Sequence, residues 1–271
     1  MIASSRVKRE TRGQSLAETW LGALLLACFI AILPPAARAQ AKLDSPVKDI
    51  DPVEGVRLGN ELVARLIQQV PAGNRTNDGI LKIEGAVGVV RSVPVQFVIA
   101  TRGSNWFSSY ETKPVAGGGT PVKVLITHTP GRPSIYEVSD PGNISRELAN
   151  ADTMVPFAGS DFWIADLGLE FLHWPGQRLV RKQLRRGQSC DVLESTNPKP
   201  ALAGYRRVVS WLDIDSGAIV HADAYDAKDR LLKQFDPKEI RKVKGEWQLE
   251  EMEIRNRQKD TKTRIEFKLG E

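Results

Sequence analysis

Apolar side chains recur at helical spacing in the first patterned stretch of the chain. Asp51 is suited to cap a helix, Pro52 to its first position and Glu54 to a capping box, while a Pro-Ala-Gly-Asn sequence at 71–74 ends it. One amphipathic helix of about five turns is therefore predicted. Its apolar stripe consists of Val56, Val63, Leu66, Ile67 and Val70.

Beyond this helix the apolar positions alternate with polar ones, which predicts strands and turns rather than helices. The clearest strands are residues 93–101 and 262–269, and the last hundred residues form a run of hairpins. The apolar parity slips between Leu249 and Met252, which predicts a β-bulge near Glu250 and Glu251. About eleven antiparallel strands are expected in total.

Two segments in the middle of the chain depart from this alternation. Residues 140–153 are polar and predict a loop with a helical turn. Residues 162–173 follow Ser160 and Asp161 as a cap, and they are apolar on most sides. A helix with that pattern requires burial or a partner.

The element pattern predicts a mainly β (α+β) fold, in which an incomplete, strongly curved antiparallel β-barrel covers helices. Sheets of about eleven strands tend to curl or close, and the apolar strand faces would then line one concavity. Residues 51–271 are expected to form this half-barrel as a single domain, and residues 40–50 a flexible lead-in.

The N-terminus has the three parts of a bacterial signal peptide. A basic stretch from Arg6 to Arg12 precedes the apolar run 20–35, and an Ala-Arg-Ala sequence ends at Ala39. We expect residues 1–39 to be removed and the mature chain, which has no transmembrane helix, to reach the periplasm. A membrane anchor at the N-terminus and a lipoprotein anchored through Cys28 are the alternatives.

Removal of this leader changes the charge and cysteine counts. It takes five of the 38 Lys and Arg residues and two of the 33 Asp and Glu residues, which lowers the net charge from +5 to +2. The basic stretch 178–186 is too short for a nucleic-acid interface, so we expect no nucleic-acid partner. Cys190 remains alone and has no partner for an internal disulfide.

Catalytic and metal-binding patterns are missing from the sequence. His128, His173 and His221 do not form a His-Glu-x-x-His motif, and no Gly-x-Ser-x-Gly elbow is present. The sequence 213–217 resembles a calcium loop but lacks its closing glutamate, so a hairpin turn is expected. We predict no enzyme activity, no catalytic residues, no metal and no cofactor.

The segment Gly159-Ser160-Asp161-Phe162-Trp163-Ile164-Ala165-Asp166-Leu167 resembles a motif of bacterial outer membrane lipoprotein-sorting proteins, the relatives of the LolA and LolB carriers. The order of later motifs is also similar, including Tyr205, Trp211-Leu212-Asp213 and Ala224-Tyr225-Asp226. The likeness covers residues 156–269 well and the first half in outline. It implies an incomplete β-barrel lidded by helices, with a hydrophobic cavity for acyl chains.

The resemblance therefore implies a periplasmic carrier that sequesters the acyl chains of a lipid or lipoprotein for sorting to the outer membrane. The main alternative is a sensor module on the same fold that recognises lipid or lipoprotein and acts through an envelope membrane protein. An envelope enzyme is a further rival. The aromatic and aliphatic residues predicted to contact the ligand are Trp163, Leu167, Phe171, Trp211, Trp247 and Phe267.

Overall fold

The computed structural model describes residues 48–88, 90–114, 120–139, 142, 145–200, 202–243 and 246–269. The predicted signal peptide 1–39 and most of the predicted lead-in 40–50 lie outside this range. No helix in the described part of the chain is long and apolar enough to cross a membrane.

The described residues form short helices and long strands. The helices are α1 (Pro52–Leu66) and α2 (Ile164–Leu167), with 3-10 turns at Asn150–Thr153, Phe157–Gly159 and Glu170–His173. The strands are β1 (Arg75–Glu84), β2 (Val90–Arg102), β3 (Asn105–Thr112), β4 (Lys123–His128), β5 (Ile135–Ser139), β6 (Ser145–Leu148), β7 (Gly176–Arg185), β8 (Gln188–Thr196), β9 (Arg207–Asp213), β10 (Ile219–Tyr225), β11 (Leu231–Val243), β12 (Glu246–Asn256) and β13 (Thr261–Lys268).

All thirteen strands belong to one antiparallel sheet with the order β6-β5-β4-β3-β2-β1-β13-β12-β11-β10-β9-β8-β7. Strands that follow one another in the chain are neighbours almost everywhere. There are two exceptions: β1 pairs with β13, where Asp78 faces Lys268 and Glu84 faces Lys262, and the consecutive strands β6 and β7 are not neighbours. The sheet stays open, with β6 and β7 at its edges, which confirms the predicted incomplete antiparallel fold with few helices.

Helix α1 begins where the sequence predicts, because the Asp51 carboxylate accepts hydrogen bonds from the backbone N–H groups of Val53 and Glu54. It ends at Leu66, a turn earlier than expected, and Val56 is exposed. The predicted stripe is therefore rotated. The buried face includes Gly55 and Gly59, which place α1 directly against the backbone of β7.

The strands follow the predicted alternation, with two additions. The pattern did not predict β1 or β6. The register of β11 and β12 shifts between Glu239 and Ile240, opposite Glu251 and Leu249, which confirms the bulge predicted near Glu250. Such a shift increases local twist and helps a sheet to curve.

The main hydrophobic cluster lies on the face of the sheet that carries α1 and residues 156–174, which we call the helix-covered face. Leu66 of α1, Phe162 and Leu167 pack there against strand residues such as Phe97 and Ile265. A second, smaller cluster lies on the opposite face of β8 to β10. Its buried members are Cys190, Val192, Val209, Trp211 and Val220.

Candidate ligand-binding site

Residues 156–174, which we call the cover segment, cross the helix-covered face. The helix predicted over residues 162–173 is interrupted: α2 ends at Leu167, Leu169 adopts a left-handed conformation (φ 48°), and a 3-10 turn follows. A Cβ atom at Gly168 would collide with the Tyr136 hydroxyl group. The break allows apolar residues on both sides of it, including Leu167 and Phe171, to be buried in one core.

The first end of the cover segment is fixed to β13 through Asp161. Its carboxylate accepts hydrogen bonds from the hydroxyl groups of Thr261 (2.7 Å) and Thr263 (3.0 Å), and its N–H donates to Thr263 Oγ1 (2.9 Å). The Arg91 guanidinium donates to the Ala158 carbonyl oxygen over 2.7 Å. These bonds explain why an aspartate precedes the apolar run in the motif.

The middle of the cover segment is fixed by a buried lysine on β11. Lys233 Nζ lies 3.6 Å from the Trp163 ring centroid and donates to the Asp161 carbonyl oxygen (2.6 Å) and to Asp166 Oδ2 (3.4 Å). The same carboxylate oxygen accepts from Trp163 N (2.7 Å) and Tyr205 OH (3.2 Å). Burial lowers the pKa of Lys233 to about 8, although the Asp166 carboxylate opposes that shift.

A cleft of about 400 Å³, open mouth included, lies where the last turn of α1 meets the β4–β5 turn and the second half of the cover segment. Its apolar lining comes from Leu66, Ile67, Trp106, Leu169 and Leu172. Its polar lining comes from Gln69, His128, Thr129, Arg132, Ser134 and His173. Small-ligand sites combine apolar walls with polar groups that fix the orientation of the ligand.

His128, Ser134 and His173 form a hydrogen-bonded cluster in the polar wall of the cleft, and Ser108, which is not part of the lining, contacts His128. His128 Nε2 lies 2.9 Å from Ser108 Oγ, and His128 Nδ1 lies 3.0 Å from Ser134 Oγ, which is 3.4 Å from His173 Nε2. Trp106 stacks on His128 with ring centroids 3.7 Å apart. Burial lowers the pKa of His128 to about 3, so it is neutral at pH 7 and a weak base for activating Ser134.

The structure brings together four of the six residues predicted to contact a ligand. Leu167, Phe171 and Phe267 belong to the main cluster, and Trp163 packs against it. Trp211 does not join them, because it lies on the opposite face of the sheet, where its Nε1 donates to Gln183 Oε1 over 3.1 Å. Strand alternation at β9 turns Leu212, not Trp211, to the main cluster, so Trp211 does not lie on the face that carries Phe267.

Trp247 lies near the start of β12, half-buried, with Lys242 Nζ 5.9 Å from its ring centroid. None of the six predicted residues lines the cleft. The cleft residues come from four separate parts of the chain, and the sequence assigns them to different elements without bringing them together. Lys233 was also missed, because lysine is rarely buried and its alternation in β11 does not distinguish it.

A family model described as an uncharacterized protein family matches residues 143–269. No relative is found among the curated proteins. Among solved structures, a DUF1329 family protein from Desulfovibrio piger is 22% identical, with a TM-score of 0.65, over 79% of this chain and 91% of that chain.

Two further solved structures share the fold at lower identity. A putative outer membrane lipoprotein-sorting protein domain from Vibrio parahaemolyticus is 18% identical, with a TM-score of 0.65, over 79% of this chain and 92% of that one. A LolA superfamily protein from Nitrosomonas europaea is 14% identical, with a TM-score of 0.55, over the same shares of the two chains. The chain thus shares its fold with these three structures, two of which are a putative lipoprotein-sorting domain and a LolA superfamily protein, as the resemblance of its sequence implies.

Proposed function

We propose that this protein is an exported carrier that binds the acyl chain of a lipid or lipoprotein, and that it does no chemistry on its cargo. The observation that carries the proposal is the cleft beside the cover segment, which has apolar walls from α1, β3 and the 3-10 turn. The shared fold with a putative lipoprotein-sorting domain supports a carrier role.

Binding would be driven by removal of the acyl chain from water, which stabilises the complex by about 0.8 kcal/mol per buried methylene. The main cluster continues from Leu66 and Leu172 at the cleft to Leu167 and Phe171 deeper under the cover segment. A longer chain would therefore enter by displacing part of the cover segment. Release would require a membrane or envelope protein that binds the same chain more tightly.

Export belongs to the same proposal. The leader 1–39 would be cleaved and the mature protein would act in the periplasm, with a lipidated Cys28 as the tethered alternative. Binding rather than catalysis is favoured by the low pKa of His128, which makes this histidine a weak base toward Ser134.

The test is native mass spectrometry of the protein expressed from its full-length gene and purified from a bacterial periplasm. The expected result is a bound mass that matches a lipid or an acylated peptide. Ile67→Trp should fill the cleft without adding charge and abolish that mass. The matched control is Ile135→Trp, because Ile135 is exposed and lies outside the cleft lining.

Two results would contradict the proposal. One is a wild-type protein that stays free of ligand after incubation with lipids and acylated peptides, which would favour the sensor module acting through a protein partner. The other is full retention of the bound lipid by folded Ile67→Trp, which would place the ligand elsewhere in the molecule.

A further inference from the structure

The one formally charged side chain in the described lining of the cleft is positive, that of Arg132. Arg132, in the β4–β5 turn, is exposed, and its guanidinium forms no hydrogen bond or ion pair with any residue that the structure describes. The described lining contains no aspartate or glutamate. Glu170, the acidic residue nearest in the cover segment, is buried and accepts a hydrogen bond from the Thr153 hydroxyl group.

Neutral donors stand beside this cation. His173 is half-buried; its Nε2 faces Ser134, and its Nδ1 has no partner in the described part of the chain. The side-chain amide of Gln69, at the end of α1, is likewise without a described partner. An arginine guanidinium with further side-chain N–H groups in the same lining is a set of donors suited to a carboxylate or phosphate group.

The apolar part of the lining indicates that the rest of the ligand is an apolar chain. Leu66, Ile67, Leu169 and Leu172 form walls beside these donors, so one molecule must present an apolar chain and an anionic end together. The 400 Å³ of the cleft includes its open mouth, so the enclosed part is smaller and has room for one chain at most.

We infer that the cleft binds a single-chain amphiphile with an anionic head group, whose charge is recognised by Arg132 while its chain lies between α1 and the cover segment. This inference rests on the proposed lipid-binding function and adds its ligand class. A neutral or cationic amphiphile of the same chain length would lack the interaction with Arg132.

Calorimetric titration with four amphiphiles of one chain length tests this inference. The protein is expressed from its full-length gene and purified from a bacterial periplasm. The probes are dodecanoate, dodecyl phosphate, dodecanol and dodecyltrimethylammonium. Both anions are expected to bind about tenfold more tightly than dodecanol at low salt. The advantage should shrink in about 0.5 M NaCl, because salt screens an exposed charge. A larger advantage for the phosphate than for the carboxylate would identify a phosphorylated lipid as the ligand.

Arg132→Gln should remove the advantage of the anions and leave dodecanol binding unchanged. Arg257→Gln is the matched control, because Arg257 is an exposed arginine in the β12–β13 turn, at the opposite end of the strands from the cleft. If Arg132→Gln binds dodecanoate as tightly as the wild type, the head-group assignment is overturned while the carrier proposal stands. If no probe binds the wild type, both fail.

Discussion

His221 lies on the face of β10 opposite the main cluster, and each of its ring nitrogens faces a carboxylate. Nδ1 is 2.7 Å from Asp236 Oδ1, and Nε2 is 2.9 Å from Asp223 Oδ1. Burial alone would lower the pKa of His221, but the two carboxylates outweigh burial and raise it above the ordinary value of 6.5. Other charged groups around the cluster are Arg185, Arg186 and Lys238.

Because of this arrangement, the free energy of unfolding depends on pH through the protonation of His221. The folded state holds the His221 proton more tightly than the unfolded chain does. The cluster's contribution is therefore fully present below pH 6.5 and is lost as the pH rises through the raised folded value. His221→Gln should lower the free energy of unfolding by about 2 kcal/mol near pH 5.5 and by less above pH 8.

Urea denaturation across this pH range measures the effect. His173→Gln is the contrasting variant, because burial lowers the pKa of His173 and gives it the opposite pH dependence. Relative to the wild type, His173→Gln should gain stability as the pH falls, while His221→Gln should lose it. Parallel pH profiles for His221→Gln and the wild type would show that folding does not change the pKa of His221, which would refute the stabilising role of the two carboxylates.

Single residues also mark where sequence reasoning was insufficient. The sequence correctly identified Asp51 as a cap, since capping follows from local chemistry. It did not identify Lys233, whose side chain is fully buried against Trp163 and Asp166. The burial of Lys233 depends on Asp166 and Trp163, which lie 67 and more residues away in the chain, and a local sequence pattern does not reveal such distant partners.

Helix α1 packs on β7 through glycine, and this contact determines which face of the helix is buried. A Cβ atom at Gly59 would lie 2.7 Å from Arg178 Cα and 2.8 Å from Leu179 N. Both neighbours are backbone atoms, so they cannot move aside as a flexible side chain would. The close approach explains why Val56, which belongs to the predicted stripe, is exposed instead.

Gly59→Ala should therefore lower the free energy of unfolding by about 1–3 kcal/mol, as overpacking does in other cores. A loss of stability is informative, because in an isolated helix alanine is more favourable than glycine by about 1 kcal/mol and the same substitution would be stabilising. Gly73→Ala is the control, since nothing lies within 4 Å of the added methyl group. Urea denaturation that finds Gly59→Ala as stable as the wild type would refute the direct helix–strand contact.

The elements that sequence patterns missed have physical reasons in common. Strand β1 begins with a polar Arg-Thr-Asn-Asp-Gly sequence, and a Cβ atom at Gly79 would lie only 2.6 Å from the Glu266 carbonyl oxygen of β13. The cover segment has helical composition, but Gly168 and Leu169 interrupt it to fit against Tyr136. In both places tertiary packing outweighs local propensity.

At the scale of the molecule, the fold class was predictable because every hairpin is local. Alternating strands and short turns determine most neighbours in the sheet, and an open, curved arrangement follows from their number. The pairing of β1 with β13 was not predictable, since it joins residues such as Asp78 and Lys268 from opposite ends of the described chain. The cleft depends on the same long-range closure, because α1, β3 and the cover segment meet only in the folded sheet.

The main cluster draws on both halves of the sheet. It joins Phe97 and Ile126 of the first strands to Leu193 and Ile254 of the last, and Leu81 of β1 lies between them, 1% exposed. We therefore infer that residues 51–271 unfold as one cooperative unit, in a single transition. Leu81→Ala should lower the free energy of unfolding by about 2–5 kcal/mol, and the loss should be the same whether it is measured in the first strands or in the last.

Pulsed hydrogen exchange during urea denaturation, read by mass spectrometry, separates the two halves. Peptides from β3 and from β10 should share one midpoint in the wild type, and Leu81→Ala should move both midpoints by the same amount. Leu184→Ala, at an exposed position near the end of β7, should move neither. Separate midpoints, or a shift confined to β3, would mean that the β1–β13 pairing joins two independently stable units. The sheet would then be a composite of two domains.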